Sequence, residues 1–301
     1  MNRNHDMLIA FCHPIKNAGT TIGYIFRNNF GNNYAEVYSS HEINHKDNTG
    51  QNIFTPNDLS AFLKVNSRIK CISGHGVRPF SQLETVRPVQ YITFLRNPVD
   101  RYLSGINQSK KYSNSSEKTL KIEERLEKQS QLNNYQVKFL ANEENLNKAI
   151  EVVENKMQFV GLVEDFNRSL FFMRNQVNFP FPLTIQYKIR NEGGKYQKKI
   201  DLSDNEISLI EEKNALDMAL YDHVKNKLHN KYLQNYGGNI KKDIAAFKET
   251  LDEYSFNRSK LMSYRLAKYF IYRRKIKPAY KKKSLSDVAI RTLIEYWNKK
   301  R

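Results

Sequence analysis

The sequence predicts an α/β protein built on a parallel β-sheet with helices on both faces. The first observation is a set of short, continuous apolar runs, which is typical of strands buried on both sides. The second is that the first, third and fourth runs lead through a few polar or small residues into a stretch with helical apolar spacing. The four runs are residues 7–12 (MLIAFC), 68–73 (RIKCIS), 90–95 (QYITFL) and 158–163 (QFVGLV).

A long polar segment separates the third and fourth predicted strands. Between residues 110 and 156, Leu and Ile recur at steps of three and four, which predicts two or three inserted amphipathic helices. After the fourth strand and its helix, residues 203–233 predict a further pair of helices. Ser203 and Glu206 have the spacing of a capping box and mark the start of that pair.

The positive charge of the chain is concentrated in its C-terminal part, after Gly237 and Gly238. The formal net charge is +18, and residues 241–301 hold 18 Lys and Arg against 6 Asp and Glu. We predict an α/β domain over 1–238 and a basic helical extension over 239–301. The extension either docks on an anionic membrane surface or polysaccharide, or packs its apolar face on the α/β body. Nucleic acid is disfavoured, because the charge surplus lies outside the body that carries the motifs.

Composition narrows the class of protein. With 40% hydrophobic and 12% aromatic residues, the chain is neither disordered, collagen-like nor a disulfide-stapled miniprotein. No apolar run is long enough for a membrane span, and the run near the N-terminus is too short for a secretory signal. Cys12 and Cys71 lie in apolar runs and are expected to be buried free thiols of a reducing compartment. We therefore expect a cytoplasmic protein, with peripheral attachment to the inner membrane surface through the basic extension as a variant.

The turn after the first strand has the features of a phosphate-binding loop. Residues Pro14–Thr21 read PIKNAGTT, with one lysine, one glycine and two hydroxyls where a strand passes into a helix. N–H groups at a helix N-terminus carry the positive end of the helix dipole, Gly19 permits close backbone approach, and Lys16 adds charge. The segment does not match the GxxxxGK[ST] loop of nucleotide triphosphatases, because its lysine precedes the glycine. A capped helix with a surface lysine is the alternative interpretation.

An arginine and a serine follow the third predicted strand. Arg96 leaves the carboxyl end of that strand, where open α/β sheets bind ligands, and its planar fork suits phosphate. Ser104 follows eight residues later, two turns into the next helix, and could reach the same group. The alternative is a structural arginine paired with Asp100 or with a helix C-terminus.

Together, PIKNAGTT and TFLRNPVDRYLS resemble the two phosphosulfate-binding motifs of the sulfotransferases that use 3′-phosphoadenosine 5′-phosphosulfate (PAPS). The pattern is that of the carbohydrate branch, which includes heparan sulfate 2-O-sulfotransferase, and FVGLVEDFNRSL is similar to the family's later strand and helix. The resemblance covers roughly the first 235 residues and implies a P-loop-like fold. The family's 5′-phosphosulfate contacts fall on Lys16, Asn17, Gly19, Thr20 and Thr21. Its 3′-phosphate contacts fall on Arg96 and Ser104.

This resemblance implies transfer of the sulfuryl group of PAPS to an acceptor hydroxyl, with a carbohydrate as the favoured acceptor. The family's usual Lys-Thr-Ala-Gly-Thr reads Lys-Asn-Ala-Gly-Thr here, which is tolerable where backbone N–H groups do most of the binding. Golgi members of the family carry a membrane anchor and disulfides, and this sequence shows no sign of either. It is therefore more similar to a soluble, bacterial-type member. No metal is expected, because lysine and arginine can neutralise the leaving phosphate.

Transfer to a hydroxyl needs a base, and His75 is the leading candidate. It follows the second predicted strand in SGHG and so lies at the same carboxyl edge as Lys16 and Arg96. An imidazole titrates near pH 6.5, which suits a base at neutral pH. A histidine in a similar Gly-His context serves as the base in the heparan enzyme, so the resemblance supports this assignment. Glu164 and Asp165, after the fourth predicted strand, are the alternative bases, and His13 is expected to pack on the loop.

Two other classes of function are left open. A P-loop-like nucleotide kinase would need magnesium ligands and the GxxxxGK loop, which is absent. A non-catalytic basic protein would bind an anionic polymer or membrane through the extension. A basic loop at 187–196 (YKIRNEGGKY) either folds over the nucleotide or is a solvated surface loop.

Overall fold

The chain forms a five-stranded, entirely parallel sheet with the strand order β2-β3-β1-β4-β5. Helices lie against this sheet, and the predicted α/β class is confirmed. The strands are β1 Leu8–Cys12, β2 Tyr34–Glu36, β3 Cys71–Gly74, β4 Val89–Leu95 and β5 Met157–Leu162. The computed structural model describes residues 7–37, 46–112, 121–188, 202–271 except 252 and 256, and residues 273, 274 and 278.

Each of the four apolar runs overlaps one strand of the sheet, and the strand ends differ from the run ends by at most three residues. The fifth strand, β2, has no counterpart among the four predicted strands. It has only three residues and pairs only with β3, at the sheet edge. Such a segment is too short to show a periodicity of its own.

The helices follow the strands as the apolar spacing predicts. The first, α1, begins at Gly19, two residues before the predicted start at Thr21. The capping box predicted at Ser203 and Glu206 opens α8. The helices are α1 Gly19–Phe30, α2 Pro56–Val65, α3 Pro98–Tyr112, α4 Ile122–Lys128, α5 Tyr135–Ala141, α6 Leu146–Glu151, α7 Phe166–Gln176, α8 Asp204–Lys213, α9 Ala215–His223, α10 His229–Gln234, α11 Ile240–Leu251 and α12 Arg258–Ile271.

The segment predicted as a helical insertion holds α4, α5 and α6 between α3 and β5. Short π-helical turns at 152–156 and 224–228 follow α6 and α9. The helix pair predicted at 203–233 consists of α8 and of one continuous helical stretch made of α9, the π-helical turn and α10. Within the described part of the chain, none of the helices has both the length and the apolar stretch that a bilayer crossing requires.

Contacting aromatic side chains link β1, β4 and β5 to one another and β1 to α1. Phe11 on β1 makes edge-to-face contacts with Phe26 of α1 at 5.9 Å and with Phe94 of β4 at 6.3 Å. Phe94 continues the row to Phe159 of β5 at 5.7 Å. All four rings are completely buried, and their edge-to-face geometry adds to the stabilisation from burial.

The first part of the C-terminal extension packs on the α/β body. Phe247 of α11 is buried and meets Phe171 of α7 edge to face at 5.5 Å. Asn28 of α1 donates a hydrogen bond to Tyr254 and accepts one from the Asn257 backbone. The packing alternative therefore holds for α11 and for the inner face of α12.

Candidate active site

The candidate site lies at the carboxyl edge of the sheet, where the loops after β3, β1 and β4 are neighbours. β1 is central and pairs with both other strands, so that Cys12 stands opposite Gly74 on one side and Thr93 on the other. The residues that follow these three strands include His13, His75 and Arg96. Parallel pairing therefore brings together chain segments that are far apart in sequence.

The loop between β1 and α1 has an unusual backbone. Lys16 and Ala18 both have positive φ angles, 72° and 56°, although neither is glycine. Such conformations cost free energy and are concentrated at functional sites. Among the described side chains, none caps the N-terminus of α1, and its first turn holds no acidic residue. The loop thus presents the positive end of a helix to the sheet edge, as an anion-binding loop does.

Gly19 is required at the start of α1 because His13 occupies the space beside it. A Cβ atom at Gly19 would overlap the His13 imidazole. That ring stacks on Phe11 at 5.4 Å and lies 4.3 Å from the ring of His75. Burial, and then the nearby charges of His75 and Lys16, hold the pKa of His13 well below its ordinary value. His13 is therefore a neutral packing residue between the two loops at pH 7.

Gly19→Ala is expected to destabilise the protein by about 1–3 kcal/mol, the usual cost of overfilling a packed site. The His13 ring has little room to move, because Phe11 and His75 hold it from other sides. Urea denaturation measures the loss. The control is Gly105→Ala inside α3, where an added Cβ meets nothing within 4 Å and helix propensity favours alanine. A Gly19→Ala variant as stable as the wild type would contradict this packing.

Lys16 and Arg96 contact each other between the loops that follow β1 and β4. The Arg96 Nη1 donates a hydrogen bond of 3.1 Å to the carbonyl oxygen of Lys16, and the Lys16 Nζ donates one of 3.0 Å to Gln108 on α3. Burial lowers the pKa of Lys16, and the charge of Arg96 lowers it further. The ion pair of Arg96 with Glu164 is long, at 3.9 Å. The two cations thus repel each other, and the carboxylates of Glu164 and Asp100 offset part of the charge of Arg96.

The hydroxyl residues of the predicted site lie on α1 and α3, the helices that follow the loops of Lys16 and Arg96. Ser104 is half-buried and stands one helical turn before Gln108, so it lies on the face of α3 that Lys16 reaches. Thr20 is exposed and Thr21 half-buried in the first turn of α1.

Asn17 and Gln136 hold the two loops together. Asn17 is completely buried, and its Nδ2 donates to the Phe94 carbonyl oxygen at 2.7 Å and to Gln136 Oε1 at 2.8 Å. The same Gln136 oxygen accepts from the Arg96 backbone N–H at 2.9 Å, and Gln136 Nε2 donates to the Arg96 carbonyl oxygen. The structure therefore gives the Asn17 side chain, which sequence analysis placed among the nucleotide contacts, an internal role. No sequence motif indicated a role for Gln136 at this site.

Gln136 is itself fixed by a buried carboxylate. Asp217 of α9 accepts hydrogen bonds from the backbone N–H groups of Gln136 at 3.0 Å and Val137 at 2.8 Å, in the first turn of α5. Burial raises the pKa of Asp217, and Arg101 at 3.9 Å opposes that shift. The helical insertion thus supports the loop of Arg96 through side chains that are themselves buried.

His75 is oriented by the backbone of the neighbouring loop. Its Nδ1 lies 2.9 Å from the carbonyl oxygen of His13. A carbonyl oxygen only accepts, so Nδ1 carries the proton of the neutral ring and Nε2 keeps the lone pair. The loop is held from below by Arg78, which donates to the His75 carbonyl oxygen and forms a wholly buried pair with Asp47 at 2.6 Å. In this tautomer Nε2 is the basic atom of the His75 ring.

The alternative bases after β5 are engaged in other contacts. Glu164 accepts hydrogen bonds from the Asn97 backbone N–H at 3.0 Å and from the Tyr221 hydroxyl at 2.9 Å. Asp165 forms an ion pair with Arg168 at 3.1 Å. Both oxygens of Glu164 are therefore occupied as acceptors, which favours His75 as the base.

Two further expectations concern metals and the later loop. In the described part of the chain, no three His, Cys, Asp or Glu side chains converge as a metal site. Of the loop at 187–196, residues 189–196 lie outside the described residues. Tyr187 itself donates a hydrogen bond to Asn167 and packs edge to face on Phe166 of α7.

The sequence matches no model of a known protein family. No curated protein matches it either. The geometry of the sheet edge and the motif resemblance are therefore the two grounds on which a function is proposed.

Proposed function

We propose that this chain is a P-loop-like sulfotransferase that moves the sulfuryl group of PAPS to a carbohydrate hydroxyl. The observation that carries the proposal is the contact between Lys16 and Arg96, which come from two motifs 80 residues apart. Beside them, α1 begins without a capping side chain among the described residues. A donor with a phosphosulfate and a second phosphate would meet one cation with each anionic group.

The polar groups at the sheet edge fit such a donor. The Arg96 Nε makes no hydrogen bond among the described residues, and its ion pair with Glu164 is long, at 3.9 Å, so the guanidinium keeps hydrogen-bonding capacity for a phosphate. Lys16 and the N-terminus of α1 would hold the phosphosulfate oxygens, with Thr20 and Thr21 as hydroxyl donors. Arg96 and Ser104 would hold the second phosphate. PAPS supplies the activated sulfuryl group and a phosphate leaving group.

The chain's own residues then have two tasks in the reaction. Lys16 and the α1 N-terminus offset the negative charge that grows on the leaving phosphate as the S–O bond breaks. His75 accepts the proton of the acceptor hydroxyl at Nε2 as the new S–O bond forms. The neutral His13 ring beside it adds no charge that would oppose this proton transfer. The carbohydrate class of the acceptor rests on the histidine context and the motif resemblance.

We also propose the cytoplasm as the compartment. Cys12 and Cys71 are both free and buried, and burial raises the pKa of each thiol. Such thiols are inert packing groups that a reducing compartment preserves.

Binding of 3′,5′-adenosine bisphosphate, the product that PAPS leaves, tests the proposal. We expect this ligand to raise the free energy of unfolding by about 2.7 kcal/mol at roughly 100 times its Kd. Magnesium ATP and heparin serve as parallel ligands in the same thermal-shift measurement. A shift with magnesium ATP alone would favour a kinase, and a shift with heparin alone would favour a non-catalytic binder of anionic polymers. Transfer from PAPS to a carbohydrate panel then tests the reaction itself.

A further inference from the structure

Helix α12 carries a stripe of large apolar side chains on its outer side. Met262, Leu266, Tyr269 and Phe270 are each about half exposed, between 46% and 56%. Their spacing of four, seven and eight residues places them on one face of the helix. Of the large hydrophobic side chains exposed in the described part of the chain, only Leu233 lies elsewhere.

The stripe is not the inner face of a helix that has failed to dock. The opposite face of α12 already packs on the body, where the Lys260 Nζ donates to the Asn29 carbonyl oxygen at 2.8 Å. Tyr264 lies 6.1 Å from the ring of Tyr34 and 5.8 Å from the guanidinium of Arg27. The helix is held by one face and presents the other outward.

Cations border the stripe, and acids are absent from this part of the sequence. The guanidinium groups of Arg273 and Arg274 lie over the rings of Tyr269 and Phe270, at 5.0 and 5.4 Å. Between Glu253 and Asp287 the sequence has no Asp or Glu. It has these Lys and Arg: Arg258, Lys260, Arg265, Lys268, Arg273, Arg274, Lys275, Lys277, Lys281, Lys282 and Lys283. An apolar centre with a cationic border is the pattern of a helix that lies in a membrane interface.

We propose that the outer face of α12 docks on the surface of an anionic lipid bilayer. The stripe would enter the boundary between headgroups and acyl chains, and the arginines would meet lipid phosphates. A polysaccharide would use the cations and leave the apolar stripe in water. A second copy of this chain would bring two cationic faces together. The surface is independent of the proposed reaction, so neither proposal depends on the other.

Co-sedimentation of the full chain with lipid vesicles tests this surface. We expect binding to vesicles of phosphatidylcholine with phosphatidylglycerol, no binding to phosphatidylcholine alone, and weaker binding as salt screens the charges. Leu266→Ser combined with Phe270→Ser should lower the partition coefficient by at least about tenfold. Arg273→Gln combined with Arg274→Gln should lower it by about 25-fold, roughly fivefold for each charge.

Matched control variants distinguish binding through this face from nonspecific apolar or electrostatic binding to the vesicles. Leu233→Ser removes the exposed leucine of α10, and Lys231→Gln with Lys241→Gln removes two exposed cations. Both controls should bind vesicles like the wild type. The Leu266→Ser, Phe270→Ser variant should keep most of the thermal stability of the wild type, since each side chain is already about half exposed.

Four results would overturn the proposal. The first is a wild-type chain that ignores anionic vesicles, and the second is apolar substitutions that leave vesicle binding unchanged. The third is a stripe variant whose melting temperature falls as far as that of a core variant, which would mean that another part of this chain covers the stripe. The fourth is a wild-type dimer that the same substitutions dissociate.

Discussion

Alanine at Lys16 or at Arg96 is expected to abolish detectable sulfuryl transfer and to weaken binding of 3′,5′-adenosine bisphosphate by about 10- to 150-fold. Each substitution removes a charge-assisted hydrogen bond to phosphate, which contributes about 1.5–3 kcal/mol. The loss should be larger in the reaction than in binding for Lys16, because charge on the leaving phosphate grows in the transition state. Calorimetric titration of each variant with the bisphosphate measures the binding term without any acceptor.

Controls distinguish ligand contacts from support of the loop. Arg96→Ala also removes the hydrogen bond to the Lys16 carbonyl oxygen, so thermal unfolding without ligand must accompany the titration. Arg96→Lys keeps the charge but loses the planar fork and should not restore binding. Lys231→Ala, at an exposed position on α10, should bind like the wild type. Alanine variants that bind the bisphosphate normally would place the nucleotide site elsewhere on the molecule.

The sheet could be predicted because its inner strands are buried on both faces. A strand buried in this way is mostly apolar, and residues 8–12 of β1 read LIAFC without interruption. The edge strand β2 has no such constraint, and its three residues end in Glu36. Chain order also does not fix strand order. That β1 lies between β3 and β4 follows from tertiary packing, and it is this order that makes the three loops neighbours.

The candidate site likewise has residues that the sequence indicates and residues that it does not. Lys16, Gly19 and Arg96 could be proposed as site residues because their loops have local sequence patterns with a physical meaning. The groups that hold those loops could not be assigned. Gln136 is 119 residues from Asn17, and Arg78 is 31 residues from Asp47. Each of these contacts joins single side chains across the fold, and a single side chain leaves no periodic or motif-like trace in the sequence.

The orientation of His75 makes its chemical role separable from its structural one. Its Nδ1–H holds the loop to the His13 carbonyl oxygen, whereas Nε2 is the atom that would take the proton. An asparagine at this position places its Nδ2 near the position of the histidine Nδ1 but has nothing in place of Nε2. His75→Asn can thus keep the loop contact while it removes the base.

We expect His75→Asn and His75→Ala to lower the rate of sulfuryl transfer by about 10²- to 10⁴-fold, the usual contribution of a general base. Binding of 3′,5′-adenosine bisphosphate should stay close to that of the wild type, because His75 acts on the acceptor. Single-turnover transfer from radiolabelled PAPS at saturating donor measures the rate, and calorimetry measures the binding. His223→Ala, whose imidazole contacts Glu154, should leave both unchanged. If His75→Asn kept the wild-type rate while Glu164→Gln lost it, the base would be Glu164, and the assignment of His75 would be wrong.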